Sequence, residues 1–249
     1  DFIYGQGVIK RNFSPAISSI LGSSTALDAD ADGWVAGLNL GIVYEKNQDN
    51  RFGLDYHYVP DLQAKGDISY AGYTGSSSAI SDTLVMPLPD IAEFSGYHRL
   101  NNDFAVHYSI QWINWSEFDA LVAQTSGTLN DYQWKDGWHY SVGGTYYLNR
   151  NWTLRAGYMY DVSAQDSITS ISVPDSNRQW FSTGFTYQID KKSNMDLGFT
   201  YLLGKDVAVN ESTDNPYYGL TGQPQYLSTM SATTHADAIM FGLQYSREF

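Results

Sequence analysis

Three aspartates at alternate positions are the first residues in this sequence that could bind a metal ion. Asp28, Asp30 and Asp32 precede a glycine, which matches the first six positions of a calcium-binding EF-hand loop. The twelfth position of such a loop would be Asn39 in place of the usual bidentate glutamate, and Asn39 falls inside a predicted strand. An acidic loop is therefore the simpler interpretation, and the three aspartates are weak candidates for a metal site.

Histidine is the other residue type that could support catalysis, and the chain has five. His57, His107 and His139 fall on separate predicted strands, where each is one polar side chain on a polar face. The sequence has no nucleophile elbow, HExxH motif or phosphate-binding loop. It also has no cysteine, which excludes thiol nucleophiles and Cys-ligated zinc. We therefore expect a protein that is not an enzyme and needs no cofactor.

The amino-acid composition excludes several further classes of protein. The 27 acidic and 14 basic residues give a net charge of −13, which argues against a nucleic-acid partner. A hydrophobic share of 43% with 16% charged residues is too apolar for a disordered chain. No segment approaches the roughly 20 apolar residues of a membrane helix, and none has the pattern of a signal peptide. We expect one domain over residues 1–249.

A strict alternation of apolar and polar side chains runs through the sequence and predicts β-strands. In the segment from Asn102, Phe104 and Ile110 lie on one face, and His107 and Ser109 lie on the other. About ten strands are predicted, beginning near Phe2, Trp34, Phe52, Leu84, Phe104, Trp138, Trp152, Gln179, Met195 and Ala236.

Two all-β folds fit this alternation. The apolar face forms the core of a soluble sandwich, whereas it contacts lipid in an outer-membrane barrel whose polar face lines a lumen. Tyr and Trp cluster at strand ends, as in the aromatic girdles of a barrel. Short turns (45–50, 99–102, 148–151, 190–194) alternate with long connections (11–32, 61–82, 116–133, 163–176, 206–234). This pattern favours an antiparallel transmembrane β-barrel that crosses the outer membrane many times.

The end of the chain points to the same fold. Apolar residues alternate from Ile239 to Tyr245, and the last residue is Phe249. This pattern resembles the C-terminal strand that the outer-membrane assembly machinery recognises, although Arg247 stands where another apolar residue is usual. We expect Phe249 to contact that machinery.

Five segments then carry a family resemblance, namely GWVAGLNLGIVYEKNQDNRFGLDY, LPDIAEFSGYHRL, FAVHYSIQWINWSEFDAL, GGTYYLNRNWTLRAGYMYD and SVPDSNRQWFSTGFTYQID. In order and spacing they resemble the FadL/TodX family of outer-membrane transporters. The resemblance implies a fourteen-stranded barrel that imports long-chain fatty acids or other hydrophobic compounds, with an N-terminal hatch in its lumen and a lateral exit. This chain then resembles the C-terminal part, about ten strands, without the hatch and about four initial strands.

The resemblance also implies ligand-binding residues. Lys135 matches a lumenal lysine of the family, and His57 takes the place of an inward arginine, which weakens the cation near neutral pH. Alternation places Arg155 in the lumen, because Leu154 and Ala156 take the lipid face. A protein at −13 needs a local positive site to attract an anion, so we expect Lys135, with Arg155 or His57 in support, to attract a fatty-acid carboxylate.

A purely structural alternative exists for the same cations. Lys135 could pair with Asp136, and Arg155 could pair with Asp161 or Glu93. For the whole protein, the alternatives to hydrophobic uptake are a porin for hydrophilic solutes and a structural or adhesive barrel.

Two expectations concern architecture. About ten strands cannot close a barrel of fourteen-strand width, so we expect the strand near Phe2 to present an unpaired edge. Basic residues fall at the short-turn rim, namely Lys46, Arg51, Arg99, Arg150, Lys191, Lys192 and Arg247. Acidic residues fall in the long connections, namely Asp28, Asp30, Asp32, Asp206, Glu211 and Asp214. We expect the acidic connections to face outward, where divalent cations could bridge them to lipopolysaccharide phosphates.

Overall fold

The computed structural model describes residues 2–13, 15, 18–19, 22–71, 77–125, 127–165, 168–171, 173–214 and 226–248. Within these residues, β-strands form three antiparallel sheets. In chain order the strands are β1 (Phe2–Asn12), β2 (Thr25–Ala36), β3 (Leu38–Asn47), β4 (Asn50–Tyr58), β5 (Leu62–Ala71), β6 (Ser77–Met86), β7 (Ile91–Arg99), β8 (Phe104–Ile113), β9 (Ala120–Ala123), β10 (Gly127–Asp131), β11 (Gly137–Tyr147), β12 (Trp152–Val162), β13 (Arg178–Gln188), β14 (Ser193–Gly204), β15 (Val207–Asp214), β16 (Tyr226–Thr234) and β17 (Ala238–Arg247). A 3₁₀ helix spans Trp115–Glu117. Among the described residues, no helix combines the length and apolar character needed to cross a bilayer.

The largest sheet has nine strands in the order β17-β14-β13-β12-β11-β8-β7-β4-β3. Short turns join β3 to β4, β7 to β8, β11 to β12 and β13 to β14, and antiparallel pairing puts all four turns at one end of the sheet. We call this end the short-turn end, and we name the opposite end the outer end after the orientation expected from the sequence. The predicted alternation of short turns and long connections is therefore confirmed.

The long connections are not loops, because they contain further strands. A six-stranded sheet, β1-β2-β5-β6-β9-β10, lies beyond the outer end, and β15 and β16 form a separate hairpin. Only Gly37 separates β2 from β3, so one chain segment enters both sheets. Pro60 lies between β4 and β5, and Pro87 and Pro89 lie between β6 and β7. Because proline donates no ladder hydrogen bond, these positions interrupt the pairing between the two sheets.

The buried core lies on one face of the six-stranded sheet. It contains small and branched residues of β2, β5, β6 and β9 together with Tyr132, and the core members are Leu27, Ala29, Ala31, Ala64, Ile68, Leu84, Leu121, Ala123 and Tyr132. The prediction that Leu84 begins a spanning strand is therefore wrong. Leu84 is buried in β6, and the spanning strand that follows it is β7.

The nine-stranded sheet has no comparable core, and its apolar face is exposed. Ile239 is 72% exposed and Phe241 is 68% exposed on β17, and Leu40 and Ile42 of β3 are similarly open. A soluble sandwich would bury these side chains, so this face is suited to contact lipid. Aromatic pairs flank the band at the short-turn end, where the rings of Phe104 and Tyr146 stack at 4.6 Å and those of Trp152 and Tyr187 lie 4.7 Å apart.

The sheets are open at their edges. Within the described residues β1 pairs only with β2, so the Phe2 strand has the expected unpaired edge, but it belongs to the six-stranded sheet and the prediction that it spans the membrane is wrong. The edges of the nine-stranded sheet, β3 and β17, each pair on one side only. The nine spanning strands therefore form an open portion of a barrel.

Candidate functional site

The polar face of the nine-stranded sheet is arranged in rows of side chains that the strand register aligns. Near the outer end, one row runs Asp55, Glu93, Gln111, His139, Asp161 and Arg178 from β4 to β13. The next row toward the short turns contains serines of three adjacent strands, Ser95, Ser109 and Ser141. Below the serines, Arg51, Tyr97 and His107 stand opposite one another on β4, β7 and β8.

Asp161 is the centre of a buried charged network in the first of these rows. Its carboxylate is 5% exposed and lies 3.2 Å from His139 Nε2 and 2.9 Å from Arg178 Nε. Arg178 Nη2 is 3.0 Å from Asp175 Oδ1, and the other oxygen of Asp175 accepts a hydrogen bond from Ser163 Oγ at 2.8 Å. These contacts connect the two ends of the β12–β13 connection and hold it against the sheet.

The short-turn half of the polar face is basic and aromatic. The Arg51 guanidinium lies 4.4 Å from the centre of the Tyr97 ring, and the rings of Tyr97 and His107 are 5.1 Å apart. His107 Nε2 and Thr145 Oγ1 form a 2.9 Å hydrogen bond. Both Arg155 and Arg51 lie within electrostatic range of His107. A cavity of about 700 Å³ is lined by these groups and by the serine row.

At the outer end, aromatic side chains of the β8–β9 and β10–β11 connections pack together. Phe118 stacks on Trp134 at 4.7 Å, Trp115 meets Trp134 edge-on at 5.0 Å, and the rings of Phe118 and Tyr132 lie 5.0 Å apart. Lys135 follows Trp134 directly and is exposed, and its backbone N–H donates to Ala164 O at 2.9 Å. We call Trp115, Phe118, Tyr132 and Trp134 the aromatic cluster. Tyr132 belongs to the buried core of the six-stranded sheet, Phe118 and Trp134 pack against that core, and Lys135 is the next residue in the chain.

The three predicted ligand-binding residues are not brought into one site. His57 and Lys135 both lie near the outer end, but His57 is on β4 and is separated by β7 and β8 from β11, which follows Lys135. Arg155 pairs in register with Thr145, seven residues below Trp138, which is about 23 Å along the strand. A carboxylate at Lys135 therefore cannot also contact Arg155.

For Arg155, the structure shows a partner other than the Asp161 or Glu93 of the structural alternative. Arg155 Nη1 donates to Thr186 Oγ1 at 2.7 Å, and Asp161 is instead held by His139 and Arg178. The carboxylate of Asp136 accepts a hydrogen bond from Trp112 Nε1 at 2.8 Å and one from the Ser116 N–H at 3.3 Å.

Asp28, Asp30 and Asp32 do not form an EF-hand calcium-binding loop in the structure. All three lie in the extended strand β2, where alternate side chains are about 6.6 Å apart and cannot wrap around one ion. Asp28 instead pairs with Lys10 on β1 at 3.4 Å. No group of three potential ligands is found among the described residues.

Arg51 is not among the site residues predicted from the sequence. The prediction groups it with the basic residues of the short-turn rim, because Arg51 lies beside a short turn. The alternation contained the signal: Leu54 and Tyr56 take the apolar face of β4, so Arg51 falls on the polar face with Gly53. Its side chain reaches the ring of Tyr97 and lines the cavity.

Outside the spanning strands, His235 joins the ends of two chain segments. Its Nδ1 lies 2.7 Å from Asp206 Oδ1 and its Nε2 lies 3.0 Å from Asp237 Oδ1. Hydrogen bonds to Asp237 and then Asp206 raise the pKa of His235, because both carboxylates favour the imidazolium form.

An apolar face suited to lipid, a polar opposite face and short turns at a single end define an outer-membrane β-barrel protein. The chain belongs to the family described as outer membrane protein transport protein (OMPP1/FadL/TodX), whose model matches residues 1–249. The protein is therefore an outer-membrane protein, and its polar face lines the barrel lumen.

Comparison with individual proteins gives the same assignment. The chain is 34% identical over 229 residues to a long-chain fatty acid transport protein of Salmonella typhi, covering 83% of this chain and 52% of the relative. The chain thus spans about half the length of that curated relative. It superposes on a Pseudomonas aeruginosa FadL homologue with a TM-score of 0.78 at 20% identity, covering 99% of this chain and 62% of that one. The toluene transporter TodX of P. putida gives a TM-score of 0.59 at 18% identity, covering 100% and 64%.

Proposed function

We propose that this protein mediates passive uptake of long-chain fatty acids or other hydrophobic compounds across the outer membrane. The observation that carries the proposal is the aromatic cluster next to the outer end of the nine-stranded sheet, with the exposed Lys135 beside it. The names of the relatives support both substrate classes, since one is a fatty acid transport protein and another is a toluene transporter.

The free energy of ligand binding must be large enough to capture a fatty acid and small enough to let it leave. Each methylene group that leaves water for an apolar surface gains about 0.8 kcal/mol. A carboxylate about 4 Å from the Lys135 ammonium gains on the order of 4 kcal/mol at an effective dielectric near 20, before desolvation costs. His57 lies at the same end of the lumen on β4.

This activity requires no chemical step, so the proposal includes neither catalysis nor a cofactor. The apolar band contacts outer-membrane lipid, and the acidic outer hairpins bind lipopolysaccharide phosphates through divalent cations. Phe249, which lies outside the described residues, is the contact for the assembly machinery during insertion.

The test is uptake of radiolabelled oleate by cells that produce the protein, compared with cells that lack it. Protein-dependent oleate entry without faster sugar entry supports the proposal. Equal oleate entry in both strains, with rapid sugar diffusion only when the protein is present, would instead identify a hydrophilic-solute porin.

Charge reversal then tests the capture residue. Lys135→Glu should weaken oleate binding while it leaves the binding of a neutral hydrocarbon of similar length unchanged. Lys46→Glu at the short-turn end is the matched control, because it makes the same charge change far from the aromatic cluster. Loss of both ligands would indicate damaged folding, and no loss of either would remove Lys135 from the site.

A further inference from the structure

A shallow cavity of about 570 Å³ lies at the short-turn end, where the turn between β11 and β12 meets the end of β13. Its lining consists of Asn149, Arg150, Asn151, Trp152 and Tyr187. Trp152 and Tyr187 stand opposite each other in register on β12 and β13, and they belong to the apolar face because Arg155 takes the polar face of β12. The cavity therefore lies on the lipid-facing side of the barrel and outside the lumen.

Hydrogen bonds at the turn hold the walls of this cavity in place. The side-chain oxygen of Asn149 accepts the N–H of Asn151 at 2.9 Å and the N–H of Trp152 at 3.0 Å. The side chain of Asn151 donates to Gln188 O at 2.9 Å, and the Gln188 N–H donates to Asn151 O at 2.8 Å. These four bonds connect the turn to the adjacent strand, so the cavity is formed before any ligand binds.

Two arginines of the short-turn rim differ in how the fold uses them. The Arg99 guanidinium donates to Asn101 O at 3.2 Å and to Asn102 O at 2.9 Å, and it lies 5.0 Å from the centre of the Tyr147 ring. The Arg150 guanidinium is exposed, and in the described part of the chain it forms neither an ion pair nor a hydrogen bond. Its five N–H donors are therefore available to a ligand, and their planar arrangement matches the oxygens of a phosphate group.

The neighbouring turn between β13 and β14 adds positive charge beside Arg150. It contains Lys191 and Lys192, which are both exposed, so the two turns together carry three cations and one carboxylate, that of Asp190. Asp190 Oδ1 accepts the N–H of Lys192 at 2.8 Å, and the carboxylate thus stabilises its own turn. This local excess of positive charge, on a chain with a net charge of −13, attracts an anion to this part of the rim.

Apolar side chains around the cavity are placed to contact the acyl part of a lipid. The Trp152 ring lies 4.7 Å from the ring of Tyr187 and 5.2 Å from that of Phe185. Leu148 and Ile189, one in each of the two turns, are each 48% exposed. Interfacial aromatic rings lie at the level of lipid headgroups, and the short turns of outer-membrane barrels lie on the periplasmic side. The cavity is therefore at headgroup level in the periplasmic leaflet, which consists of phospholipid.

We infer that this cavity binds the headgroup of an anionic phospholipid of the periplasmic leaflet, such as phosphatidylglycerol. Arg150 holds the phosphate, Lys191 and Lys192 favour a lipid with net negative charge, and the acyl chains lie along the apolar face beside Trp152. We call Arg150, Lys191, Lys192, Trp152 and Tyr187 the rim site. It lies outside the lumen, so it does not depend on the proposed transport function.

The test is native mass spectrometry of the outer-membrane-assembled protein, extracted in detergent, delipidated and titrated with phosphatidylglycerol. Arg150→Gln should weaken binding of this lipid about tenfold, the loss expected for charge-assisted hydrogen bonds to phosphate. Arg99→Gln is the matched control, because it makes the same charge change on the same rim, and it should bind as the unaltered protein does. Adding Lys191→Gln and Lys192→Gln should reduce the preference for phosphatidylglycerol over zwitterionic phosphatidylethanolamine.

Four results would overturn the rim site. One is equal binding of phosphatidylglycerol by the unaltered and Arg150→Gln proteins, and another is an equal loss in Arg99→Gln, since rim charge in general would then be responsible. Tighter binding of lipopolysaccharide than of phosphatidylglycerol would contradict the assignment to a phospholipid. Displacement of the lipid by millimolar inorganic phosphate would show that a free anion is sufficient. Each of these results leaves the proposed transport function standing.

A measurement on the unaltered protein makes the test independent of variant folding. Phosphatidylglycerol with a photoreactive diazirine beside its headgroup is crosslinked to the protein in outer-membrane vesicles, and the adducts are mapped by mass spectrometry. Adducts concentrated on residues 148–152 and 187–192 support the rim site. Adducts spread evenly over the four short turns, or found mainly at the outer end, would refute it.

Discussion

Removing the buried carboxylate of Asp161 should destabilise the barrel and loosen its β12–β13 connection. The carboxylate is 5% exposed and contacts both His139 and Arg178, so Asp161→Asn leaves the Arg178 charge without one of its two partners. Breaking a buried ion pair commonly costs about 3–5 kcal/mol. Arg178 is 34% exposed and keeps Asp175 at 3.0 Å, so we expect a smaller cost of about 2 kcal/mol.

The assay is reversible urea unfolding in lipid vesicles followed by tryptophan fluorescence, with the exposed turn variant Asp103→Asn as the control. Arg178→Gln should also cost about 2 kcal/mol, and the double variant should cost clearly less than the sum, because both changes remove one interaction. Strictly additive costs would refute the assignment of Asp161 and Arg178 as a coupled pair. A cost for Asp161→Asn no larger than that of Asp103→Asn would refute the importance of its burial.

Three further predictions concern other parts of the molecule. The raised pKa of His235 means that its pairing with two carboxylates stabilises the fold fully below about pH 6.5. This stabilisation is lost as the pH rises through the higher pKa of the folded state, so His235→Gln should lower the free energy of unfolding more at pH 5.5 than at pH 8.5. An equal loss at both pH values would contradict the pairing. Phe241→Arg on the lipid face should cost about 2–4 kcal/mol in vesicle unfolding, whereas Met240→Arg on the lumenal face of the same strand should cost much less. Gly66→Ala should destabilise the six-stranded sheet because the new methyl overlaps a β2 carbonyl, while Gly7→Ala meets nothing within 4 Å; protease cleavage of the outer hairpins that does not differ between the two would count against this packing.

The membrane-spanning strands could be predicted from local sequence because each strand carries its own evidence. Alternation places Ile239 and Phe241 on one face and Met240 on the other without reference to any partner, and the exposed apolar face agrees with this. Lipid outside and a polar lumen inside impose this pattern on every spanning strand. The fold class and the family resemblance were therefore accessible from the amino-acid order, and the family match confirms them.

The six-stranded sheet could not be predicted in the same way. Its strands bury small side chains such as Ala29, Ala64 and Ala123, which give weak alternation in segments rich in glycine, serine and aspartate. These segments become strands because neighbours far along the chain pair with them, as β2 pairs with β5 and β6 pairs with β9. Pairing of this kind is a tertiary effect, and it also placed Asp28, Asp30 and Asp32 in a strand where a loop had been expected.

The lumenal sites show the same division between local and tertiary information. Local alternation states that Arg51, His107 and Arg155 face inward on their own strands, but it cannot state their relative heights. The relative heights of these three residues depend on the hydrogen-bond register of every pairing between the five strands from β4 to β12. A slip of two residues in any one pairing would move a side chain by about 6.6 Å. That accumulated register gathers these three residues around one cavity, places Asp161 against Arg178, and separates Arg155 from Lys135 by more than 20 Å.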